Sequence, residues 1–342
     1  MPRPSRARDV EAAVFHRVGS HPEDLVRVVA DELGLSRAAV VRHVNRLVEE
    51  GYLAKQGTTR PTYVHGVKRK ARLTYELEGL AEDIVWSNDL APLLHGVPRN
   101  VIEICHYGIT EMVNNAVDHS EGKELIVRLD VNEEKVILSV TDDGVGIFRK
   151  ITEHLSLPDE RLALLELAKG KLTTDPIRHT GEGIFFTSKA FDEFWIFSGD
   201  LTFGHHPAVS DDDWLLESNK PMDGTAVVMH IQRSSKTVLR DIFSKYSSGP
   251  DDYSFEKTIV PVRLARIGDE NLISRSQAKR LISRFDKFRN IILDFEGVEM
   301  VGQAFADEIF RVFARAHPGI ELIPSGARPE VQEMINRALR AE

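Results

Sequence analysis

The stretch "TEMVNNAVDHS" (Thr110 to Ser120) sets Glu111, Asn115 and His119 four residues apart, so on a helix they stack as one polar column. Ile109, Met112, Val113 and Val117 give the same helix an apolar side, and Asn114 lies beside the column. A solvated face would explain the column, and so would a ligand. The sequence that follows narrows the choice. "KELIVRLDV" and "KVILSVTDD" alternate around an Asn-Glu-Glu turn, the pattern of an antiparallel hairpin, and the second strand runs into "DDGVGIF". "HTGEGIFF" then opens another helix, and "DGTAVVMHI" comes later. Each motif alone says little. ExxxN on a helix, DxGxG at the end of a strand and GxG before a helix, in that order, restrict the fold strongly.

This order resembles the GHKL superfamily of ATPases (gyrase, Hsp90, histidine kinase and MutL type), which also includes the anti-sigma-factor serine kinases. The resemblance implies a site for ATP and Mg²⁺. Asn115 matches the position whose amide oxygen holds the metal, and Mg²⁺, which keeps several waters, needs little more than that and phosphate oxygens. Glu111 matches the position that orients or deprotonates the attacking water in hydrolytic members. Asp142 matches the carboxylate that accepts from the adenine amino group, with Gly144 and Gly146 turning the backbone near the base. Gly181 and Gly183 would offer N–H groups to the phosphates at a helix start. Thr225 matches a hydroxyl near the adenine. Asp143 reads as a solvated neighbour of Asp142, and His119 as either a ligand-side or a helix-terminal structural residue.

Family members carry a mobile ATP lid between the two glycine motifs. Here "PDERLALLELAKG" reads as a helix stopped by Gly170, followed by the polar, basic "KLTTDPIRHTGEG". Lys171, Arg178 and His179 are candidates for the γ-phosphate, and Thr173, Thr174 and Thr180 for hydroxyl contacts; plain solvation stays open for each.

The first 66 residues have a different character. Residues 1–70 hold 13 Lys+Arg against 8 Asp+Glu, a net of +5, whereas the rest carries −14, so a polyanion contact belongs to the head. Three helical patterns, the third opened by Ser36 and closed by Gly51, precede two β-prone runs around a Gly-Thr-Thr turn. They resemble the winged helix-turn-helix family. That resemblance sends Ser36, Arg37, Arg42, His43 and Arg46 of the third helix toward base edges in duplex DNA, and Lys55, Thr59 and Arg60 of the wing toward phosphates. A wing used only for protein contacts is the competing reading.

Residues 257–342 alternate strand and helix three times, a small α/β unit. "ILDFEGVEMVGQAFADEIFRVF" resembles STAS-like domains of the DUF4325 type. STAS domains are the usual substrates of GHKL serine kinases, with a serine at the start of the helix after the central strand. Here Gly302, Gln303 and Ala304 occupy that place, so the standard acceptor hydroxyl is missing, and Ser274 reads as a helix cap.

No apolar run is long enough to span a bilayer, and the N-terminus has no apolar h-region. The single Cys105 excludes an intramolecular disulfide and a cysteine-rich zinc site; it lies in an apolar helical pattern and reads as a buried hydrophobe. These features fit a cytoplasmic setting without membrane partners.

The expected fold is therefore multi-domain α/β: a winged helix-turn-helix over 1–66, a GHKL α/β sandwich with a leading linker helix over 67–250, and a small STAS-like domain over 251–342. The expected function is an ATP-binding transcriptional regulator whose DNA binding is gated by Mg-ATP. The alternative is an anti-sigma-type protein serine/threonine kinase, or an ATPase, acting on a protein partner; a homodimer is a further candidate. A histidine kinase is disfavoured, because residues 67–95 offer one helical stretch and no accepting histidine in a helical hairpin.

Overall fold

The computed structural model describes residues 6–57, 61–66, 68–173, 180–206, 210–249, 252–267 and 270–340. The head comprises α1 (Arg6–Arg17), α2 (Leu25–Leu33), α3 (Arg37–Glu49) and the antiparallel pair β1 (Leu53–Gln56) and β2 (Thr62–His65). Gly34 ends α2 in the left-handed region, and Ser36 caps α3 by accepting from Ala39 N–H at 3.3 Å. Val10, Val14, Leu25, Val40, Val44, Leu47 and Leu53 form the head's own core.

The segment expected to be a linker helix begins instead as a strand, β3 (Arg69–Glu76), paired antiparallel along its whole length with β4 (Glu124–Val131). The reason lies in its period. Ala71, Leu73 and Tyr75 alternate with charged or polar residues and pack on the core, a two-residue repeat hidden among many charges. Lys70 pairs with Asp130 across the strands at 3.2 Å and sits over the Tyr52 ring at the end of the head. A short irregular helix follows, α4 (Glu82–Ile84), which continues through a π turn to Leu90 and a 3₁₀ turn to Leu94.

α5 (Arg99–His119) then lies on the sheet formed by β3, β4, β5 (Lys135–Asp142), β6 (Glu193–His206) and β7 (Ser210–Gln232). The strand order is β3-β4-β5-β7-β6, antiparallel throughout. α6 (Ile147–Leu155), α7 (Arg161–Lys169) and α8 (Gly183–Ala190) come between β5 and β6. Cys105 is fully buried in this two-layer core.

α9 (Leu239–Lys245) and the hairpin β8 (Ser247–Gly249) and β9 (Asp252–Phe255) lead into the C-terminal unit. Its parallel sheet, β10 (Lys257–Pro261), β11 (Asn290–Asp294) and β12 (Glu321–Ser325), is ordered as in the sequence. The connecting helices are α10 (Arg275–Ile282) and α11 (Gln303–Asp307), which runs on through a π stretch into α12 (Ala314–Ala316); α13 (Pro329–Arg340) closes the unit. Ser274 does cap α10, in a reciprocal capping box with Gln277. The core of this unit also takes in Leu165 and Ala168 of α7 and Phe185 and Phe186 of α8. Phe185 and Phe255 ring centres lie 4.6 Å apart, and those of Phe186 and Phe243 4.8 Å apart.

Candidate functional site

α5, the end of β5, α6 and the start of α8 enclose a cleft of about 310 Å³, within the range of small-molecule sites. Glu111, Asn114, Asn115 and His119 all line it, so the polar column faces the cleft. Met112, Val140, Ile147, Ile151 and Val227 supply apolar wall, suited to the faces of a flat ring. The Asn115 side-chain nitrogen is buried and has no hydrogen-bond partner among the described residues. Such an orphan costs about 1–3 kcal/mol until something fills the space beside it.

Asp142 closes β5 in the cleft wall, 8% exposed. Its Oδ1 accepts from Gly144 N–H at 2.9 Å and from Thr225 N–H at 3.2 Å; Thr225 is its register partner on β7. Burial raises its carboxyl above the usual carboxylate range, while these N–H donors pull the other way. Thr225 Oγ1 accepts from Ile147 N–H at 3.0 Å and so holds the first turn of α6. Asp143 is not merely solvated. It accepts from Lys123 and Glu124 N–H at 2.7 and 2.9 Å, which fixes the start of β4 and lowers its own carboxyl.

The glycines divide by role. Gly146 (φ 88°) borders the cleft, where a Cβ would fall 2.6 Å from Ser198 Oγ. Gly144 is absent from the cleft wall; it lets the β5 end press against the Ser120 carbonyl at the end of α5. Gly181, Glu182 and Gly183 line the cleft where α8 begins, beside Thr180. Glu182, partly buried there, has its carboxyl raised by that burial, opposed by Lys171 and Thr180.

Lys171 departs from expectation. Its Nζ donates to the Lys287 carbonyl at 2.9 Å and lies over the Phe255 and Phe288 rings, because a left-handed backbone (φ 50°) turns it toward the C-terminal unit. Among the described residues, the lysine in the cleft wall is Lys150 of α6, paired with Glu121 at 2.7 Å. Its only sequence signal was its position four residues after Gly146, one turn into α6. Thr173 lines the cleft; Thr174, Arg178 and His179 lie outside the described residues.

In the head, Arg37 and Arg42 are exposed on α3 and Lys55 is exposed on β1. Arg46 is not free: it pairs with Glu11 of α1 and stands 3.7 Å from Glu50, so it ties two helices together. Thr59 and Arg60 lie outside the described residues. At the third expected site, the start of α11 presents Gly302, Gln303 and Ala304 and no hydroxyl.

Comparison with known families agrees with this division. Residues 7–60 match the model of the MarR family. Residues 101–234 match that of the histidine kinase-, DNA gyrase B- and HSP90-like ATPases. Residues 277–332 match a STAS-like domain of unknown function, DUF4325. No curated protein matched the chain. The chain thus joins a winged helix of MarR type, a GHKL-type ATPase domain and a STAS-like domain. Among the described residues, no helix is long and apolar enough to cross a membrane.

Proposed function

We propose that the protein is a transcriptional regulator whose DNA binding responds to Mg-ATP in the α5–β5–α8 cleft. The observation that carries this reading is the convergence, in one cleft, of the orphan Asn115 amide, the buried Asp142 carboxylate and the glycine-rich start of α8. Asp142 has one oxygen committed to backbone donors and a second available for the adenine amino group. Asn115 is the residue whose amide oxygen would join phosphate oxygens in holding Mg²⁺, while its orphan nitrogen would donate to a phosphate oxygen. That ion, when bound, neutralises phosphate charge. The N–H groups at the start of α8 attract anions without a countercharge. Glu111, against Gly183, is the group that would orient a water at the terminal phosphate.

A path joins this cleft to the head. Gly66 N–H donates to Tyr52 O and Lys68 N–H to Gly51 O, so β2 passes into β3 with the head held against the sheet. β3 pairs with β4, and β4 with β5, which ends at Asp142. These paired strands are the route by which a change at Asp142 would reach the head. The cationic side chains of α3 and β1 supply duplex contacts, and the body's net charge of −14 does not. The start of α11 has no hydroxyl, which speaks against a kinase and substrate joined in one chain; kinase action on a separate partner is the second reading, and transfer of labelled γ-phosphate to that partner would favour it.

The test is a genome-wide occupancy map followed by gel shifts on the recovered sites, with wild type and Asp142→Asn, each with and without Mg-ATP. Regulation by nucleotide requires that Mg-ATP shift wild-type affinity and leave the variant unchanged. Identical occupancy under all four conditions would remove the gate.

A further inference from the structure

We propose that Arg284, in the STAS-like domain, is a positioning residue for the phosphate end of the nucleotide cleft. It acts on that end through the backbone of Gly170 and Lys171. The proposal builds on the reading of the cleft as a nucleotide site and adds a role for the C-terminal domain.

The connection is continuous. Arg284 Nη1 binds Glu166 Oε2 at 2.7 Å, and Nη2 donates to Gly170 O at 3.0 Å and to Lys171 O. The next residue, Leu172, donates its N–H to Gly181 O at 3.0 Å. Leu172 and Thr173 on one side and Thr180 to Ile184 on the other then form the cleft wall where α8 begins. One guanidinium thus grips two consecutive carbonyls immediately before the residue that holds the glycine loop. Gly181 leaves no room for slack, since a Cβ there would fall within 2.4 Å of the Leu172 backbone.

The end of α7 is anchored by the same domain. Lys169 O accepts from Thr258 Oγ1 at 2.8 Å. Lys169 Nζ, fully buried, donates to Glu166 at 2.7 Å, to Ser283 O at 3.0 Å and to Arg280 O at 3.2 Å. The Glu166 carboxylate bridges Lys169 and Arg284. Lys171 (φ 50°) and Arg284 (φ 63°) both hold a left-handed backbone that side chains with a Cβ disfavour. Two such residues facing each other across a domain boundary mark a geometry set by the contact between them.

Adhesion alone does not account for the charges. Leu165, Ala168, Phe185 and Phe186 already join the two domains through an apolar core. Buried ion networks add little stability over apolar packing of equal volume, but they fix direction, because each donor needs its acceptor in place. Here the direction fixed is that of the segment carrying Leu172.

The test uses the full chain as wild type, Arg284→Gln and Thr258→Val, with hydrogen exchange on the apo proteins and calorimetric titration of Mg-ATP and of adenosine. In Arg284→Gln, the amides of residues 171–173 and 181–183 should exchange about tenfold faster, while those of β4 and β5 stay unchanged. Mg-ATP should bind about tenfold more weakly and adenosine within about twofold of wild type, since adenosine has no phosphates to feel the loop. Thr258→Val removes one hydroxyl from the same clamp and should show the same pattern at about threefold, which keeps the test decisive if Arg284→Gln does not fold. Unchanged exchange at 171–183 in a folded variant, or equal weakening of Mg-ATP and adenosine, would overturn the proposal. A wild type that binds neither ligand would instead sink the nucleotide reading, and the exchange measurement would still judge the clamp.

Discussion

Glu111 and Gly183 touch: a Cβ built on Gly183 would fall 1.9 Å from Glu111 Oε2. The absence of a side chain at the start of α8 therefore lets the carboxylate of α5 sit against the glycine loop. Adding a methyl group there displaces a flexible carboxylate end and not backbone, so stability should barely change. Gly183→Ala is thus expected to keep the wild-type melting temperature, to leave Mg-ATP affinity within about threefold, and to slow ATP turnover by up to about 10²-fold, the cost of misplacing a reacting group by about 1 Å. Paired calorimetry and phosphate-release assays check it. A variant that turns over ATP like wild type would detach Glu111 from the water.

Asp142→Asn should weaken Mg-ATP binding by about 1.5–3 kcal/mol, the worth of a charge-assisted hydrogen bond, which is roughly a 10- to 100-fold rise in Kd. The same carboxyl predicts a pH dependence. Burial raises it above the ordinary value of about 3.9, so it takes up its proton earlier on acidification than an exposed aspartate does. Nucleotide affinity should fall as the pH drops through that raised range, and Asp142→Asn should be flat across it. The effect on apo stability has the opposite sense. Between the unfolded and the raised folded pKa the native state binds more protons, so this group's contribution to stability declines as the pH rises. Affinity titrations in steps across the acidic range, for both proteins, would expose a wrong sign directly.

The candidate site was legible wherever local pattern fixes geometry. The four-residue spacing of Glu111, Asn115 and His119 survives folding because a helix preserves it, and Asp142 sits where a strand ends. Ser36, Ser274 and Gly170 stand at helix ends for the same local reasons. What could not be read are pairings over long distance. β3 hides its two-residue period among charges, and its partners on β4 lie 48 to 62 residues away, from Glu76↔Glu124 to Arg69↔Val131. Arg46 looks like a DNA contact until α1 brings Glu11 beside it. Lys171 belongs to a polar loop by composition, yet its backbone turns it onto Phe255 and Phe288, and nothing local announces that Arg284 meets the same loop from more than 100 residues downstream.

The pairing of Arg46 separates two arginines that the sequence alone treats alike. Arg42 is exposed and unencumbered by Glu11, so Arg42→Ala should cost about 1–3 kcal/mol in DNA affinity if it reads a guanine edge, and should relax preference at that base pair. Arg46→Ala should leave the salt dependence of binding nearly unchanged and lower head stability by about 0–1 kcal/mol, the range for exposed ion pairs. Lys55→Ala should weaken all sequences alike and flatten the log–log salt slope by about 0.9 if it neutralises one phosphate. Fluorescence anisotropy across a salt series distinguishes the three. A larger slope change for Arg46→Ala than for Lys55→Ala would mean that the Glu11 pair opens when DNA binds.

Gly170 ends α7 with φ 78°, and a Cβ there would lie 2.6 Å from the Phe255 ring. Two costs therefore add in Gly170→Ala. The backbone of Gly170 (φ 78°, ψ −175°) lies in a region essentially closed to residues with a Cβ, a cost of about 1–3 kcal/mol. The clash costs about 1–3 kcal/mol, because Phe255 is wedged among Phe185, Phe186, Tyr246 and Phe288 and has nowhere to retreat. Gly34, in the milder left-handed helical region (φ 62°, ψ 37°) and with open space at its Cβ, gives a floor for the first term: Gly34→Ala should lose only its own backbone cost of about 1–2 kcal/mol. A double-mutant cycle isolates the second. In a Phe255→Leu background the ring is gone, and Gly170→Ala should become about 1 kcal/mol or more less damaging. Urea unfolding followed by hydrogen exchange at α7 and β10 provides the numbers. If Gly170→Ala costs no more than Gly34→Ala, or if its cost is the same with leucine at 255, α7 and the STAS-like domain are not packed against each other as closely as the Phe255 ring requires.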